Sequence, residues 1–247
     1  MIRPKARNSL TYKDFEFISQ TLAPKAESQQ AVMSLLATTE ERDQLLDDPQ
    51  LFERILSEPS LHQISPHLYF YVLIRRVLQE FDIEDRDVAD YLASMLTEFS
   101  RGNRAEMISE YHEKQYRYLV DLLKDLLDAN TEEVFMIQSH VGNYSMFLAG
   151  VFPDYIFHRA KYKKMAPDFR YYEQMGSTSY QQAARNRLAE RWQVADILET
   201  LGTQFRKVRL ALNYMVDEYM QLDRQKQSLD RVYRRLQDFI DERRKLM

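Results

Sequence analysis

Residues 131–153 read TEEVFMIQSHVGNYSMFLAGVFP, and from Val134 to Pro153 no Asp, Glu, Lys or Arg occurs in a chain that is 29% charged. Thr131 is a helix-capping residue type, and Glu132 and Glu133 stand where the positive end of a helix dipole favours carboxylates. Pro153 is a stop, because a proline inside a helix loses a hydrogen bond and clashes with the preceding turn. Between these ends, apolar residues occur on every side. Val134, Ile137, Val141, Leu148 and Phe152 form one stripe, and Met136, Phe147 and Val151 form another. A helix apolar all round is either central in a bundle or in a membrane. About 20 residues would reach across a bilayer. Gln138, His140, Asn143 and Tyr144, however, fall in the middle of the run, and each is costly in hydrocarbon without a partner. The stretch therefore predicts a buried bundle helix and no membrane span.

The same polar residues carry the one sharp functional hint. His140, Asn143, Tyr144 and Phe147 follow spacings of three and four and share a helix face. Gly142 and Gly150 leave room for a backbone or a ligand to approach. One reading is a pocket, with His140 as acid, base or metal ligand, and with His67 and Tyr71 from a second buried helix completing its lining. The other is a core network that fixes the packing of neighbouring helices. The core reading carries more weight, since buried polar side chains are normally hydrogen-bonded.

Composition sets the outer limits. A chain of 247 residues can bury a sizeable core, and the expected unit is one helical domain over 1–247. Leu, Arg, Glu, Gln, Met and Ala are helix formers, and no run of alternating β-branched residues suggests a strand. Zero cysteines exclude disulfides, thiolate nucleophiles and thiolate metal sites. That suits a reducing compartment, and the expected location is the cytoplasm. The opening MIRPKARNSLTYKDF is basic without an apolar core, so it reads as a loose arm over residues 1–10 rather than a signal peptide. A net charge of −4 gives no general reason to expect a nucleic-acid partner.

Short helices are expected over 12–22 (Phe15, Ile18 and Leu22 on one face), 26–37, from a Thr38/Glu41 capping box to Leu46, and after Asp48-Pro49. Ser65-Pro66 opens a strongly apolar helix over 66–82, SPHLYFYVLIRRVLQEF, with Arg75, Arg76 and Glu80 toward an end or edge and His62 and His67 near its start. Asp85 and Asp87 open another helix, with Val88, Tyr91, Leu92, Met95, Leu96 and Phe99 at helical spacing. A helix over 106–129 leads into the central one.

After Pro153 comes a basic, aromatic connector, DYIFHRAKYKKMAPDFRYYEQMG. Arg159, Lys161, Lys163, Lys164 and Arg170 are interleaved with Tyr155, Phe157, Tyr162, Phe169, Tyr171 and Tyr172. A nucleic-acid or anionic-ligand surface has this pattern. So does a solvated loop whose aromatics pack inward, which the acidic balance of the whole chain favours. A helix over 177–193 follows. From Val194, apolar residues recur every seven positions at Leu201, Val208, Met215, Leu222, Leu229 and Leu236. This is a seam of coiled-coil type, and Leu222, Leu229 and Leu236 are its candidate interface residues. It serves either a dimer or two bundle helices folded back on the chain. Residues 203–247 as one continuous helix would project.

No glycine-rich phosphate loop, G-x-S-x-G elbow, Glu-x-x-His pair or His-Glu-x-x-His motif is present. The absence of Glu-x-x-His argues against a di-iron bundle. No metal site or cofactor follows from the sequence. The expectation is an all-α, multi-helix bundle around a central buried helix (131–152), with a long C-terminal helical segment of coiled-coil-like register. Its expected function is that of a non-catalytic interaction or regulatory protein, a homodimer or the partner of another helical protein. The alternative is a helical protein that binds a small molecule, a metal or haem, and is an enzyme in one version, with a pocket at His140, Asn143 and Tyr144.

Overall fold

The computed structural model describes residues 1–23, 25–57, 64–109, 114–116, 118–162 and 166–220. Among the described residues there are thirteen α-helices and no strand, so the protein is all-α. No described helix is long and apolar enough to cross a membrane. His62, Leu222, Leu229, Leu236 and the rest of 221–247 lie outside the described residues. The chain falls into two compact units, whose described residues are Pro4–Thr97 in one and Met1–Arg3 with Glu98–Met220 in the other.

The Pro4–Thr97 unit holds α1 (Tyr12–Leu22), α2 (Ala26–Leu35), α3 (Thr39–Leu46), α4 (Pro49–Ser57), α5 (Pro66–Glu80) and most of α6 (Arg86–Phe99). Its helix starts follow the local chemistry of the sequence. Ser65 Oγ accepts from the Leu68 amide at 3.2 Å, with Pro66 in the first turn. Asp85 Oδ1 accepts from the amides of Asp87 and Val88. At α3 the Thr38 hydroxyl donates to the Glu41 carboxylate, in place of the two reciprocal backbone bonds of a capping box. In α1 the buried residues are Asp14, Phe17, Ile18 and Ser19 rather than Phe15 and Leu22. Asp14 turns the helix: its carboxylate takes the Thr11 amide at 2.6 Å and the Ser65 amide at 2.6 Å.

Two arginines differ from expectation. Arg75 is buried rather than at an edge, because Asp47 takes it bidentately at 2.9 and 3.1 Å and the Glu84 carbonyl accepts its third contact at 2.8 Å. Residues 4–9 are docked rather than loose. The Lys5 amide donates to Ser94 Oγ at 3.0 Å and the Ala6 amide to Asp90 Oδ1 at 2.5 Å. Arg7 then pairs with Asp90 at 2.9 Å, Asp43 at 2.6 Å and Asp87. Burial works against the Arg7 charge, but the Asp90 hydrogen bond and the charges of Tyr71, Asp90 and Asp43 outweigh it, so its pKa rises above the usual value. Arg7→Met should therefore cost about 3–5 kcal/mol in chemical denaturation, because it strips a buried carboxylate of its counter-charge. A loss below about 1 kcal/mol would mean that water screens the cluster.

The second unit holds α7 (Leu119–Asp125), α8 (Thr131–Val151), α9 (Pro153–Tyr162), α10 (Phe169–Ala184), α11 (Arg187–Arg191), α12 (Ala195–Thr203) and α13 (Phe205–Tyr214), then a π-helical turn over Met215–Met220. The helix expected over 106–129 is not continuous. Glu106 ends a 3-10 turn, its carbonyl accepts from the Tyr116 amide at 2.7 Å, and α7 begins only at Leu119. The cap of α8 lies one residue earlier than expected. Asn130 Oδ1 accepts from the Glu132 and Glu133 amides, and Glu133 returns a bond to the Asn130 amide at 2.9 Å. Pro153 does end α8, but it also opens α9, since its missing N–H costs nothing in a first turn. Within the basic, aromatic connector α9 runs to Tyr162 and α10 begins at Phe169, capped by Asp168, whose carboxylate accepts from the Tyr171 amide at 2.9 Å. The helix expected over 177–193 ends at Ala184, and Asn186 caps α11 separately.

Every residue of α8 from Ser139 to Val151 is buried. Its most extensive partner is α10, which also packs on α12, while α13 lies against α8. Leu148→Ala should lower stability by about 2–5 kcal/mol, in line with other buried leucines. An unchanged denaturant midpoint would remove α8 from the centre of this unit.

Candidate functional site

His140, Asn143 and Tyr144 are all buried on one face of α8. Asn143 lies where α8 meets α10, and its Oδ1 accepts from the Tyr180 hydroxyl at 2.8 Å. Next to it, a Cβ on Gly142 would stand 2.5 Å from the Tyr180 ring, so the contact is as close as glycine permits. The His140 ring meets Phe99 edge-on at 5.9 Å and lies nearly parallel to Tyr144 at 6.2 Å. Phe99 in turn packs edge-on against Phe147. The face is therefore an aromatic cluster that includes an amide–phenol hydrogen bond.

His67 and Tyr71 lie on α5, in the other unit. His67 is half-buried in the first turn of α5, whereas Tyr71 is fully buried under the Arg7 guanidinium, 5.8 Å from its ring. Burial pushes the Tyr71 phenol well above its ordinary pKa.

A second polar chain joins α8, α10 and α13. Arg209 donates from Nε to Glu173 at 2.7 Å and from Nη1 to Asn213 Oδ1 at 2.6 Å. The Asn213 amide donates to the carbonyls of Ala149 and Gly150, near the end of α8, at 2.8 and 2.7 Å. Phe169 lies under the guanidinium at 5.1 Å. Sequence reading missed this chain. The i, i+4 spacing of Arg209 and Asn213 was visible, but Glu173 and the two carbonyls come from helices whose contacts no spacing reveals.

A cavity of about 600 Å³ lies at the start of α8. Ile108, Met136 and Ile137 supply apolar wall, and Asp125, Asp128, Glu132 and Glu133 supply carboxylates. Lys114 Nζ bridges both Asp125 oxygens at 2.7 and 2.5 Å and stands 5.0 Å from the centre of the Tyr116 ring. The Tyr116 hydroxyl donates to the same carboxylate at 2.6 Å. Burial, that hydrogen bond and the carboxylate charge together raise the Tyr116 pKa. The arrangement already holds an alkylammonium between a carboxylate and an aromatic ring, and could receive a small polar molecule. None of the five sequence-derived pocket residues lines this cavity. Among the described residues, no group of three or more His, Asp or Glu could hold a metal ion.

Tyr180→Phe tests the α8 face as a packing element. Losing the donor to Asn143 in a buried contact should cost about 1–3 kcal/mol in urea unfolding, and a neutral result would show the hydrogen bond to be dispensable. Compared with known proteins, the chain matches no family model, no curated protein and no solved structure.

Proposed function

We propose that this chain is a non-catalytic helical interaction protein of the cytoplasm that self-associates through its C-terminal segment. The π turn over Met215–Met220 is the observation that carries this reading. Val194, Leu201, Val208 and Met215, the first four members of the heptad series, are each fully buried. The series crosses a break at Gln204, between α12 and α13, without leaving the interior. A π turn takes up one extra residue, which ends the strict phase those four residues hold. In the sequence, Leu222, Leu229 and Leu236 keep the frame, and an apolar stripe gains nothing until it is covered. A second copy of the same stripe is the partner we assign to it, and another helical protein is the variant of the same idea. Leu229→Asp combined with Leu236→Asp should leave the helical content nearly unchanged and convert a dimer to a monomer in sedimentation equilibrium. A wild type that is monomeric at high concentration would overturn self-association.

The cavity at the start of α8 favours a second reading, a small-molecule-binding protein. On that reading the ligand contacts are Asp125, Tyr116 and Met136 rather than the His140 face, where Asn143 is engaged by Tyr180. Native mass spectrometry of the purified protein should then show a bound mass that Met136→Trp, which fills the cavity, removes. A clean apo mass from several expression hosts counts against it.

A further inference from the structure

Arg170, the last cation of the basic connector, has a counterpart far along the chain. An open cleft of about 440 Å³ lies between α10 and the junction of α12 with α13, and Arg170 from one wall and Arg206 from the other both line it. Both arginines are exposed, and among the described residues neither forms an ion pair or a side-chain hydrogen bond. The acid that lines the cleft among the described residues is Glu173, and the Arg209 guanidinium already meets its charge at 2.7 Å. Two positive charges are left over in one concave place.

The walls of the cleft are fixed. The Ser177 hydroxyl donates to the Gly202 carbonyl at 2.7 Å and ties α10 to the end of α12. A Cβ on Gly202 would stand 2.6 Å from the Gln181 side chain, so the two helices meet there without a gap. Phe205, which is buried, closes the base of the cleft, and a Cβ on Gly176 would stand 2.3 Å from its ring. Along α10, Arg170, Gln174 and Thr178 follow spacings of four and share a face. Gln174 and Thr178 are exposed, and their side chains have no hydrogen-bond partner among the described residues. Opposite them α13 starts at Phe205, and no side chain caps it. The first amides of a helix lack partners within it, so this start adds a weaker field of the same sign as the arginines.

We propose that this cleft binds a small phosphate monoester: Arg170 and Arg206 take the dianionic phosphoryl group, and Gln174 and Thr178 hydrogen-bond a hydroxyl-bearing body. A planar guanidinium fork matches two phosphoryl oxygens at once. Two forks on facing walls suit a doubly charged group with three free oxygens. A carboxylate has one charge and two oxygens, and would leave one arginine unused. The phosphodiesters of a nucleic acid carry one charge each and bind along rows of cations, of which this cleft holds only two among the described residues. Its volume lies in the lower part of the range for small-molecule sites, about 300–1,000 Å³. The site is distinct from the cavity at the start of α8, whose charged lining is mainly acidic, and from the C-terminal association, so it survives the failure of either.

The test is isothermal titration calorimetry of the full chain in a phosphate-free, low-salt buffer, with glucose 6-phosphate, inorganic phosphate, acetate and glucose as probes. Glucose 6-phosphate should bind saturably and more tightly than inorganic phosphate, and inorganic phosphate should compete with it. Arg170→Gln and Arg206→Gln, both at exposed positions, should each weaken the binding of glucose 6-phosphate by about tenfold or more with an unchanged circular dichroism spectrum. Arg185→Gln, at an exposed arginine outside the cleft, should leave it unchanged. No saturable binding of glucose 6-phosphate or inorganic phosphate up to about 10 mM, or equal binding by the variant that lacks both arginines, overturns the proposal. So does acetate or glucose binding as tightly as the ester. Inorganic phosphate binding as tightly as the ester would mark an adventitious ion site and overturns it too.

Discussion

The approach of α8 to α10 is the constraint on which the second unit depends. It is set by atoms that are missing: a Cβ on Gly142 would lie 2.5 Å from the Tyr180 ring, and one on Gly176 would lie 2.3 Å from Phe205 and 2.8 Å from the Ser145 side chain. Gly150 makes the same kind of room for Leu212 of α13, at 2.8 Å. With α10 and α13 this close, and Phe99 against the His140 ring, α8 has no solvent-facing side between Ser139 and Val151. Its polar groups must then be satisfied inside, because an unpaired buried donor or acceptor costs more than a hydrogen bond returns. Asn143 with Tyr180, and Asn213 with the carbonyls of Ala149 and Gly150, meet part of that demand, while the buried hydroxyls of Ser139 and Ser145 find no hydrogen-bond partner among the described residues.

Charge is buried by a different device in each unit, and arginine serves in both. Its planar fork can engage several acceptors at once, which a lysine ammonium on its flexible stem cannot reproduce. In the Pro4–Thr97 unit, Arg7 draws three aspartates around it and Arg75 takes Asp47 with both ends of the fork. In the other unit, Arg209 links Glu173 to Asn213 and so passes the constraint on to the end of α8. Removing one partner from such an arrangement costs more than the arrangement as a whole contributes.

The strongest elements were legible in the sequence because periodicity and capping are local. The charge-free run from Val134, the Ser65-Pro66 start and the Asp85 start each predicted a helix that is present with ends close to those expected. Errors arose where a distant partner overrides the local pattern. Arg7 belongs to a basic opening that reads as solvated until Asp43, Asp87 and Asp90 are seen beside it. The run over 106–129 has a helical stripe, yet the Tyr116–Glu106 backbone bond and the Lys114–Asp125 pair fold that segment back. Pro153 follows the end of α8 and opens α9, so a proline marks a helix boundary in the sequence without telling whether the chain stops there or starts again. Of the candidate pocket residues, His140, Asn143, Tyr144 and Tyr71 are buried and His67 is half-buried, and a one-dimensional pattern carries no sign that α5 and α8 belong to different compact units.

The glycine contacts also bear on how this fold can drift. At positions 142 and 176 the missing volume is already filled by Tyr180 and Phe205, so a larger residue on one side requires a smaller ring on the other, and overpacking penalises every intermediate step. The two pairs should therefore change together or not at all among descendants of this chain. Gly142 with Tyr180 and Gly176 with Phe205 then become a four-residue signature by which distant kin could be recognised after the surfaces of α1 to α4 have lost all resemblance.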